Sequence, residues 1–391
     1  MTSAVFCIAV FLLLNDGRSE PVSGSIVAWG SNFYGQCLVP EPNYGFVAVS
    51  AGGFHNLGLR GDGSITAWGN DRYGQCDVPP PNTGFTAVAA GNFHSMALRS
   101  NGSIVVWGNE GTGVCLVPEP NSGFVAIAAG GGHCLALRND GTVCAWGSNS
   151  HGQCVMPELN HGFCGVAAGN FHSLALRSDG SILGWGDNGD GQCSVPHPNL
   201  GFTAMSGGGL HSVGLKADST IVAWGYDNWG QCQVPGPNQG FLAQDCGGKH
   251  TLALRSDGSI EAFGYDNWGQ CQVPEPNAGF IAVSGGAFHS IGLRTDLSAG
   301  PPGLVRGGIR AAPNPFGSVV TVELDAGFSE GSIVAVYDLS GRPVVVLAPV
   351  SGQLVYQWDG TGAEGLRRAS GVYFVRAVCG CLSATVRVIM L

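Results

Sequence analysis

Hydrophobic and polar positions alternate along most of this chain in a pattern that repeats every 39 residues. The first complete copy contains three short alternating segments, namely Gly45-Phe-Val-Ala-Val-Ser50, His55-Asn-Leu-Gly-Leu-Arg60 and Ser64-Ile-Thr-Ala-Trp68. A period of two residues is typical of a β-strand. The Asp62-Gly63 dipeptide between the last two segments favours the positive φ of a tight hairpin turn. Each copy therefore predicts a small three-stranded antiparallel sheet.

Two landmark residues recur seven times without insertion or deletion. An aromatic residue closes the third segment at Trp29, Trp68, Trp107, Trp146, Trp185, Trp224 and Phe263. A histidine opens the second segment at His55, His94, His133, His172, His211, His250 and His289. Identical units at a fixed spacing stack on their neighbours. Each second segment has one face of large residues and one of small residues, so a large face can meet a small face of the next unit. Such radial stacking predicts a seven-bladed β-propeller over residues 25–297.

The two ends of the repeat array predict how the ring closes. The seventh unit runs out at Asp296 without its third segment, whereas Ser25–Gly30 stands before the first complete unit with no partner of its own. We therefore expect residues 25–30 to pair with residues 289–294.

The repeat resembles a known family. The stretch from Ala168 to Gln192 reads Ala-Gly-x-x-His-x-x-Ala-Leu-Arg-x-Asp-Gly-Ser-Ile-x-x-Trp-Gly, followed by a loop that ends in Gly-Gln, and this is similar to the regulator of chromosome condensation repeat. The resemblance implies a seven-bladed propeller, and the short, uninterrupted period resembles bacterial secreted members. Family repeats usually read Gly-Gln-Leu-Gly where this chain has Gly-Gln-Cys followed by Val-Pro, a difference that we expect to affect packing and not the fold.

The last 80 residues have a different pattern. After a predicted linker at residues 298–311, six short alternating segments follow within residues 312–391, which favours a small β-sandwich. The segments Asn314-Pro-Phe316, Trp358-Asp-Gly360 and Ala369-Ser-Gly-Val-Tyr-Phe374 resemble the immunoglobulin-like C-terminal domains related to flagellar hook-capping protein and to type IX secretion sorting domains. That resemblance implies a role in export or surface attachment.

Composition and the first residues bear on location and partners. The apolar run from Ala4 to Leu14 has the length of a signal-peptide core, so residues 1–20 are a predicted signal peptide of a secreted or surface-attached bacterial protein. No Lys or Arg precedes the run, and a buried N-terminal strand is the alternative. The run is too short for a transmembrane helix. A net charge of −10 with two lysines argues against a nucleic-acid partner, and we expect a monomer.

The repeated histidines and cysteines raise the question of chemistry. A residue present in every copy serves the repeat, because an active site needs one asymmetric group of side chains. We therefore interpret the histidines as half-buried and hydrogen-bonded to a turn, and the cysteines of the Gly-Gln-Cys segments as small buried side chains. The loop Asp187-Asn-Gly-Asp-Gly191 lacks the ligand spacing of a calcium site. No catalytic residue, metal site or cofactor is predicted.

The loop after each Trp-Gly is where the copies differ most. Four of these loops carry aromatic residues, and with the predicted closure they follow neighbouring blades. The candidate partner-binding residues are Phe33, Tyr34, Arg72, Tyr73, Tyr226, Trp229, Tyr265 and Trp268. Tyr, Trp and Arg are enriched at binding hot spots, so we expect a non-catalytic scaffold that binds a protein.

Three alternatives accompany this hypothesis. The aromatic rings could simply cover the edge of the propeller. They could also stack sugars in a carbohydrate-binding or carbohydrate-cleaving propeller, so that the partner would be a surface glycan. Nucleotide exchange on a small GTPase is the third, but the unbroken spacing leaves no inserted wedge for it.

Overall fold

The computed structural model describes residues 23–295, 309–312, 319–324, 333–337, 343–348, 355–369, 371–379 and 382–390. Every helix or strand found in these ranges is a β-strand, which confirms the predicted all-β class. The predicted signal peptide lies outside the described residues, as does most of the predicted linker. The described chain divides into two compact units, residues 23–295 and residues 309–390.

The first unit consists of seven three-stranded antiparallel sheets, which are the blades of a propeller. In each blade a middle strand, which opens with the repeat histidine, lies between an inner and an outer strand. The strands are β1 (Ser25–Gly30), β2 (Phe46–Ala51), β3 (His55–Arg60), β4 (Ile65–Gly69), β5 (Phe85–Ala90), β6 (His94–Arg99), β7 (Ile104–Gly108), β8 (Phe124–Ala129), β9 (His133–Arg138), β10 (Val143–Gly147), β11 (Phe163–Ala168), β12 (His172–Arg177), β13 (Ile182–Gly186), β14 (Phe202–Gly207), β15 (His211–Lys216), β16 (Ile221–Gly225), β17 (Phe241–Cys246), β18 (His250–Arg255), β19 (Ile260–Gly264), β20 (Phe280–Gly285) and β21 (His289–Arg294).

The ring closes as the sequence predicts. Strand β1 pairs with β21 in antiparallel register from Ser25 opposite Arg294 to Gly30 opposite His289, so the first strand of the chain completes the last blade. The inner strands β2 and β20 contact each other. At the seam, the backbone N–H of Ala287 donates to the carbonyl of Gly53 over 3.3 Å, which joins the seventh blade to the first.

Each pair of neighbouring blades shares a hydrophobic core. Leu57 and Leu59 of the first blade pack in one cluster with Ala97 and Trp107 of the second, so a large face meets a small one. In the first blade the sheet itself requires the small face, because a Cβ added to Gly58 would lie 2.7 Å from the Phe46 ring of the same blade. The unequal faces of the middle strands therefore set how blades stack.

The end of each middle strand is braced by a basic side chain. Arg60 stacks over the Phe46 ring, with its Cζ atom 4.2 Å from the ring centroid, and donates to the carbonyl of Pro42 over 2.7 Å. The equivalent residues also stack over the phenylalanine of their own blade. These seven brace residues are Arg60, Arg99, Arg138, Arg177, Lys216, Arg255 and Arg294. They lie at the face that carries the Asp-Gly turns.

The second unit has two antiparallel sheets, ordered β22-β23-β26 and β25-β24-β27-β28. The Trp358 and Tyr373 rings, one from each sheet, pack edge to face with centroids 4.9 Å apart. Strand β22 was not predicted, because residues 309–311 were assigned to the linker; Ile309 pairs with Leu324 in the sheet. The strands are β22 (Ile309–Ala312), β23 (Val320–Leu324), β24 (Ile333–Tyr337), β25 (Pro343–Leu347), β26 (Val355–Trp358), β27 (Gly371–Cys379) and β28 (Leu382–Met390).

Candidate functional site

One face of the propeller carries all the loops that the sequence singles out. The start of each middle strand pairs with the end of the outer strand, as His55 does with Gly69. The Trp-Gly loops and the turns that precede each histidine therefore emerge on the same side, which we call the loop face. The brace residues lie on the opposite face.

A buried glutamine fixes the backbone of six of the seven loops. Gln231 is 1% exposed, and its Oε1 accepts the backbone N–H of Trp229 over 3.1 Å. The same bond joins Gln36 to Tyr34 over 2.9 Å. The residue two positions before the glutamine, or before Val114 in the third loop, is what we call the display residue. The display residues are Tyr34, Tyr73, Thr112, His151, Asp190, Trp229 and Trp268. The glutamine holds the loop constant while the displayed side chain varies.

Aromatic display residues occupy one continuous part of the ring. Trp229, Trp268, Tyr34 and Tyr73 follow blades five, six, seven and one, and each is between 42% and 52% exposed. Phe33 beside them is 70% exposed, the largest exposure of any aromatic side chain in the described residues. The remaining three blades display Thr112, His151 and Asp190. The loop face is thus divided into an aromatic half and a polar half.

Exposed and half-buried rings contact one another across blades. Trp229 meets Tyr265 edge to face with centroids 4.9 Å apart. Tyr265 contacts Phe288 at 6.1 Å, and Phe288 contacts Phe54 at 6.2 Å. Phe54 contacts Tyr34 at 5.3 Å. These five residues form what we call the aromatic row, which runs without interruption from the loop after blade five to the loop after blade seven.

Two further ring pairs flank the aromatic row. Phe33 packs edge to face on Trp268 at 5.0 Å, and Tyr73 packs on Phe93 at 5.5 Å. A depression of about 500 Å³ separates the Tyr73–Phe93 pair from Tyr34 and Phe54 at the end of the row. Gly69, Asn70, Asp71 and Arg72 complete its lining. This half of the loop face has both an apolar surface and a concave feature.

Seven of the eight predicted binding residues lie in these ring contacts or on their border. Arg72 lies over the Tyr73 ring, with its Cζ atom 5.7 Å from the centroid. Tyr226 is the exception: it is half-buried, and its hydroxyl accepts a hydrogen bond from Asn228 Nδ2 over 2.9 Å.

Sequence reasoning missed a second set of residues on this face, the ones that immediately precede each repeat histidine. Phe54 and Phe288 connect the aromatic row, Phe93 walls the depression, and Lys249 stacks on Trp229 and Tyr265 with its Nζ atom 5.5 Å from each ring centroid. These positions lie in the turns between inner and middle strands, where the alternation of strands gives no signal. Their variation between copies was the signal that could have identified them.

Beneath the loop face, the repeat histidines form a belt that links each blade to the next. His55 Nε2 lies 2.9 Å from Ser95 Oγ of the second blade, and Ser95 Oγ donates to the carbonyl of Gln75 over 2.7 Å. Because the serine proton is used in that bond, Ser95 accepts from His55, whose proton is therefore on Nε2. At the seam the partner of His289 is Asn56 Oδ1, at 2.7 Å. The belt supports the loops that carry the aromatic row.

The structure corrects the interpretation of these histidines as half-buried residues bonded to a turn. All seven are at most 1% exposed, and they bond a side chain of the next blade's middle strand. Burial lowers their pKa from 6.5 to about 3 or 4, so each ring is neutral near pH 7. The glycine three positions before each histidine makes room for the ring, since a Cβ on Gly91 would lie 2.2 Å from His94 Cε1.

The repeat cysteines are half-buried and not buried as expected. Cys193 Sγ donates to the carbonyl of Asp187 over 3.1 Å and so closes the loop that contains the display residue. Burial raises the pKa of the Cys193 thiol to about 12, which keeps it protonated and unreactive. These cysteines have a structural role in the loops.

The described residues lack two further features. No group of three or more His, Cys, Asp or Glu side chains there is arranged to hold a metal ion. The described ranges also contain no helix of the length and apolar character that crossing a membrane requires.

Comparison with known proteins supports the repeat assignment. The model of the regulator of chromosome condensation (RCC1) repeat matches residues 46–75, 85–113, 124–153 and 163–192. These segments fall in the first four complete copies, and the other three copies share their period and strands. No significantly similar sequence was found among curated proteins.

Solved structures show the same architecture. Prp20p from Saccharomyces cerevisiae is 19% identical with a TM-score of 0.60, over 72% of this chain and 93% of that chain. Human WBSCR16 is 17% identical with a TM-score of 0.56, over 70% and 99% of the two chains. The ectodomain of the Arabidopsis thaliana receptor kinase ACR4 is 22% identical with a TM-score of 0.52, over 64% and 94%. Residues 25–295 therefore form a seven-bladed propeller whose first four complete copies match the regulator of chromosome condensation repeat.

Proposed function

We propose that this chain is a non-catalytic binding scaffold that captures a protein partner on the aromatic half of its loop face. The observation that carries the proposal is the row of contacting rings from Trp229 to Tyr34, whose two end members are exposed and whose three middle members are half-buried. Exposed aromatic residues grouped in one patch mark interaction sites, and Tyr, Trp and Arg contribute most to hot spots. The buried belt and glutamines hold the rings in place before binding, which lowers the entropy that binding costs.

Proteins with a similar fold are known to bind other proteins. Prp20p is described with binding to Gsp1p and histones, and yeast RCC1 (Prp20) is described bound to Kap60. A propeller of this type can therefore act as a platform for proteins. The residues of its own loop face determine which partner this chain binds.

Replacing Trp229 and Trp268 together with alanine is expected to abolish partner capture while the fold stays intact. Both side chains are nearly half exposed, so their removal opens little core, whereas a hot-spot truncation costs about 2 kcal/mol or more in binding. The measurement is surface cross-linking of protein from its native host, followed by mass spectrometry. The matched control, H151A/D190A, changes two display residues on the polar half and should retain capture.

Three outcomes separate the alternatives. Loss of one protein partner in W229A/W268A but not in H151A/D190A supports a scaffold. Recovery of a glycan instead of a protein indicates that the face binds sugars, for which exposed tryptophans are also suited. Full capture by W229A/W268A means that the rings only cover the edge of the propeller, and it contradicts the proposal.

We further propose that the protein is exported from a bacterial cell and attached to its surface. The apolar run from Ala4 to Leu14 and the sorting-domain resemblance of residues 312–391 support this location. Fractionation of cells that express the full chain tests it, with a version lacking residues 1–20 as the control. Retention of the full chain in the cytoplasm would contradict export.

A further inference from the structure

The basic side chains of the propeller are distributed unequally between its two faces. Residues 23–295 contain nine Lys and Arg residues, and seven of them are the brace residues on the face opposite the loops. The remaining two, Arg72 and Lys249, lie on the loop face. Both are on its aromatic half, at opposite ends of the aromatic row.

Both cations are held on aromatic rings and remain available to a ligand. Lys249 stacks on Trp229 and Tyr265 at one end, and Arg72 stacks on Tyr73 beside the depression at the other. Within residues 23–295 the salt bridge found is Arg255–Glu261, on the opposite face. A stacked ammonium or guanidinium group keeps its N–H donors for an acceptor that approaches from solvent. The two groups are therefore positioned but unpaired cations.

Three of the four aspartates in the loops on this half of the face are engaged in their own loops, and the fourth, Asp77, is exposed. Asp227 Oδ1 accepts the backbone N–H of Cys232 over 2.8 Å, and its Oδ2 accepts Gln233 Nε2 over 3.3 Å. Asp266 makes the same two bonds, and Asp71 Oδ1 accepts the backbone N–H of Cys76 over 2.8 Å. These carboxylates hold loop geometry, whereas the cations have no such internal role.

We propose that the aromatic row binds an acidic, extended segment of a partner protein, with carboxylates against Arg72 and Lys249 and an apolar side chain in the depression. This inference rests on the proposed function and adds the chemistry of the partner. Its basis is the complementarity of two unpaired cations to carboxylates, together with the apolar rings between them. Charge-assisted hydrogen bonds to Lys and Arg are stronger than neutral ones, and the Arg72 guanidinium can bind a carboxylate through two of them.

The occupant is a peptide segment because the surface combines a linear row with a pocket. Three ring-to-ring steps of 5.3 to 6.2 Å lead from Tyr265 to Tyr34, and the depression follows directly. An extended chain places successive side chains about 3.3 Å apart along its axis, so a short segment can reach both cations and the depression. Four aromatic rings line the depression and suit a large apolar side chain, namely those of Tyr34, Phe54, Tyr73 and Phe93.

The test pans a phage-displayed library of random linear peptides on the full-length protein. We expect the enriched peptides to carry Asp or Glu on both sides of a large apolar residue. The binding of one enriched synthetic peptide is then measured by fluorescence anisotropy, with its Glu-to-Gln and Asp-to-Asn analogue in parallel. R72Q/K249Q should weaken binding about tenfold or more, as expected for loss of charge-assisted bonds.

The matched control is T112E/H151E, which makes the same change in net charge on the polar half and should bind the peptide with unchanged affinity. Enrichment of neutral or basic peptides, an unaffected R72Q/K249Q variant, or no enrichment at all would each overturn the inference. W229A/W268A separates this inference from the proposed function. If that variant loses the native partner while R72Q/K249Q keeps it, the aromatic face binds protein but the acidic chemistry is wrong.

Discussion

Deleting residues 25–30 is expected to lower the melting temperature of the propeller by at least about 10 °C. Strand β1 is the outer strand of the seventh blade, and Ile26 and Trp29 are 3% and 6% exposed in the core. Trp29 Nε1 also donates to the carbonyl of Gln270 over 2.9 Å. Loss of a buried tryptophan alone costs about 3–5 kcal/mol, and the deletion further exposes the edge of β21. Differential scanning calorimetry measures the shift.

A peptide added in trans provides the control for this deletion. A synthetic peptide of residues 23–36 should restore part of the melting temperature, whereas the same peptide with Trp29→Ala should not. The seam also contains Asn56, the partner of His289, where other blades have Ser, Thr or Cys. We expect Asn56→Ser to be tolerated and Asn56→Leu to resemble the deletion in direction. An unchanged melting temperature after the deletion would show that β1 does not hold the ring closed.

The fold could be predicted because repeated units adopt the same local structure, which leaves few possible arrangements. Once Trp29 and His55 are seen to recur every 39 residues, one hairpin determines all seven blades, and the unpaired Ser25–Gly30 segment leaves one way to close them. Alternation along the middle strand also indicated which face is large and which is small. A single turn dipeptide, Asp62-Gly63, indicated where the first hairpin turns.

Attention to what the seven copies share concealed two features of the site. Phe54 and Lys249 occupy one repeat position in a turn, where neither strand alternation nor turn chemistry selects a residue type. Their importance comes from contacts between blades, which depend on three-dimensional closure and not on spacing. The full burial of the histidines could not be predicted either, because His55 obtains its partner, Ser95, from the next blade at a separation of 40 residues.

The histidine belt connects the stability of the ring to the placement of the loop face. Each histidine Nε2 bonds a side chain on the middle strand of the next blade, and in five of the seven cases this partner is a hydroxyl that then bonds the carbonyl of a loop glutamine, as Ser95 does with Gln75. That glutamine in turn holds Tyr73 through its Oε1 atom, at 2.9 Å. A belt that loses its neutral histidines would therefore lose both blade contacts and display geometry.

Acidification from pH 6.5 to about pH 4 is expected to unfold the propeller steeply. Burial lowers the pKa of the seven histidines to about 3 or 4 in the folded state, against 6.5 in the unfolded chain. Below pH 6.5 the unfolded chain therefore binds protons that the folded chain does not. The free energy of unfolding consequently decreases as the pH is lowered. One proton difference changes the free energy of unfolding by about 1.4 kcal/mol per pH unit. Seven such groups can exceed a typical total stability of about 5–15 kcal/mol.

Carboxyl groups affect stability either at lower pH than the histidines do or with the opposite sign. Hydrogen bonds from Ser or Thr lower the pKa of the turn aspartates, such as Asp62, below 3.8, so their contribution to stability is lost only at more acidic pH. Asp245 is half-buried, and its removal from water raises the pKa of its carboxyl group, which opposes the histidines by a single proton. The decline between pH 6.5 and pH 4 is therefore a property of the belt.

Urea unfolding at a series of pH values, followed by tryptophan fluorescence, measures the number of protons taken up on unfolding. We expect several protons near pH 5, and about one fewer in a His172→Gln variant compared at equal denaturant midpoints. A free energy of unfolding that stays constant from pH 6.5 to pH 4.5 would show that the histidines titrate normally in the folded protein. In that case the belt would be accessible to water, and the rigidity that it gives to the aromatic row would need another source.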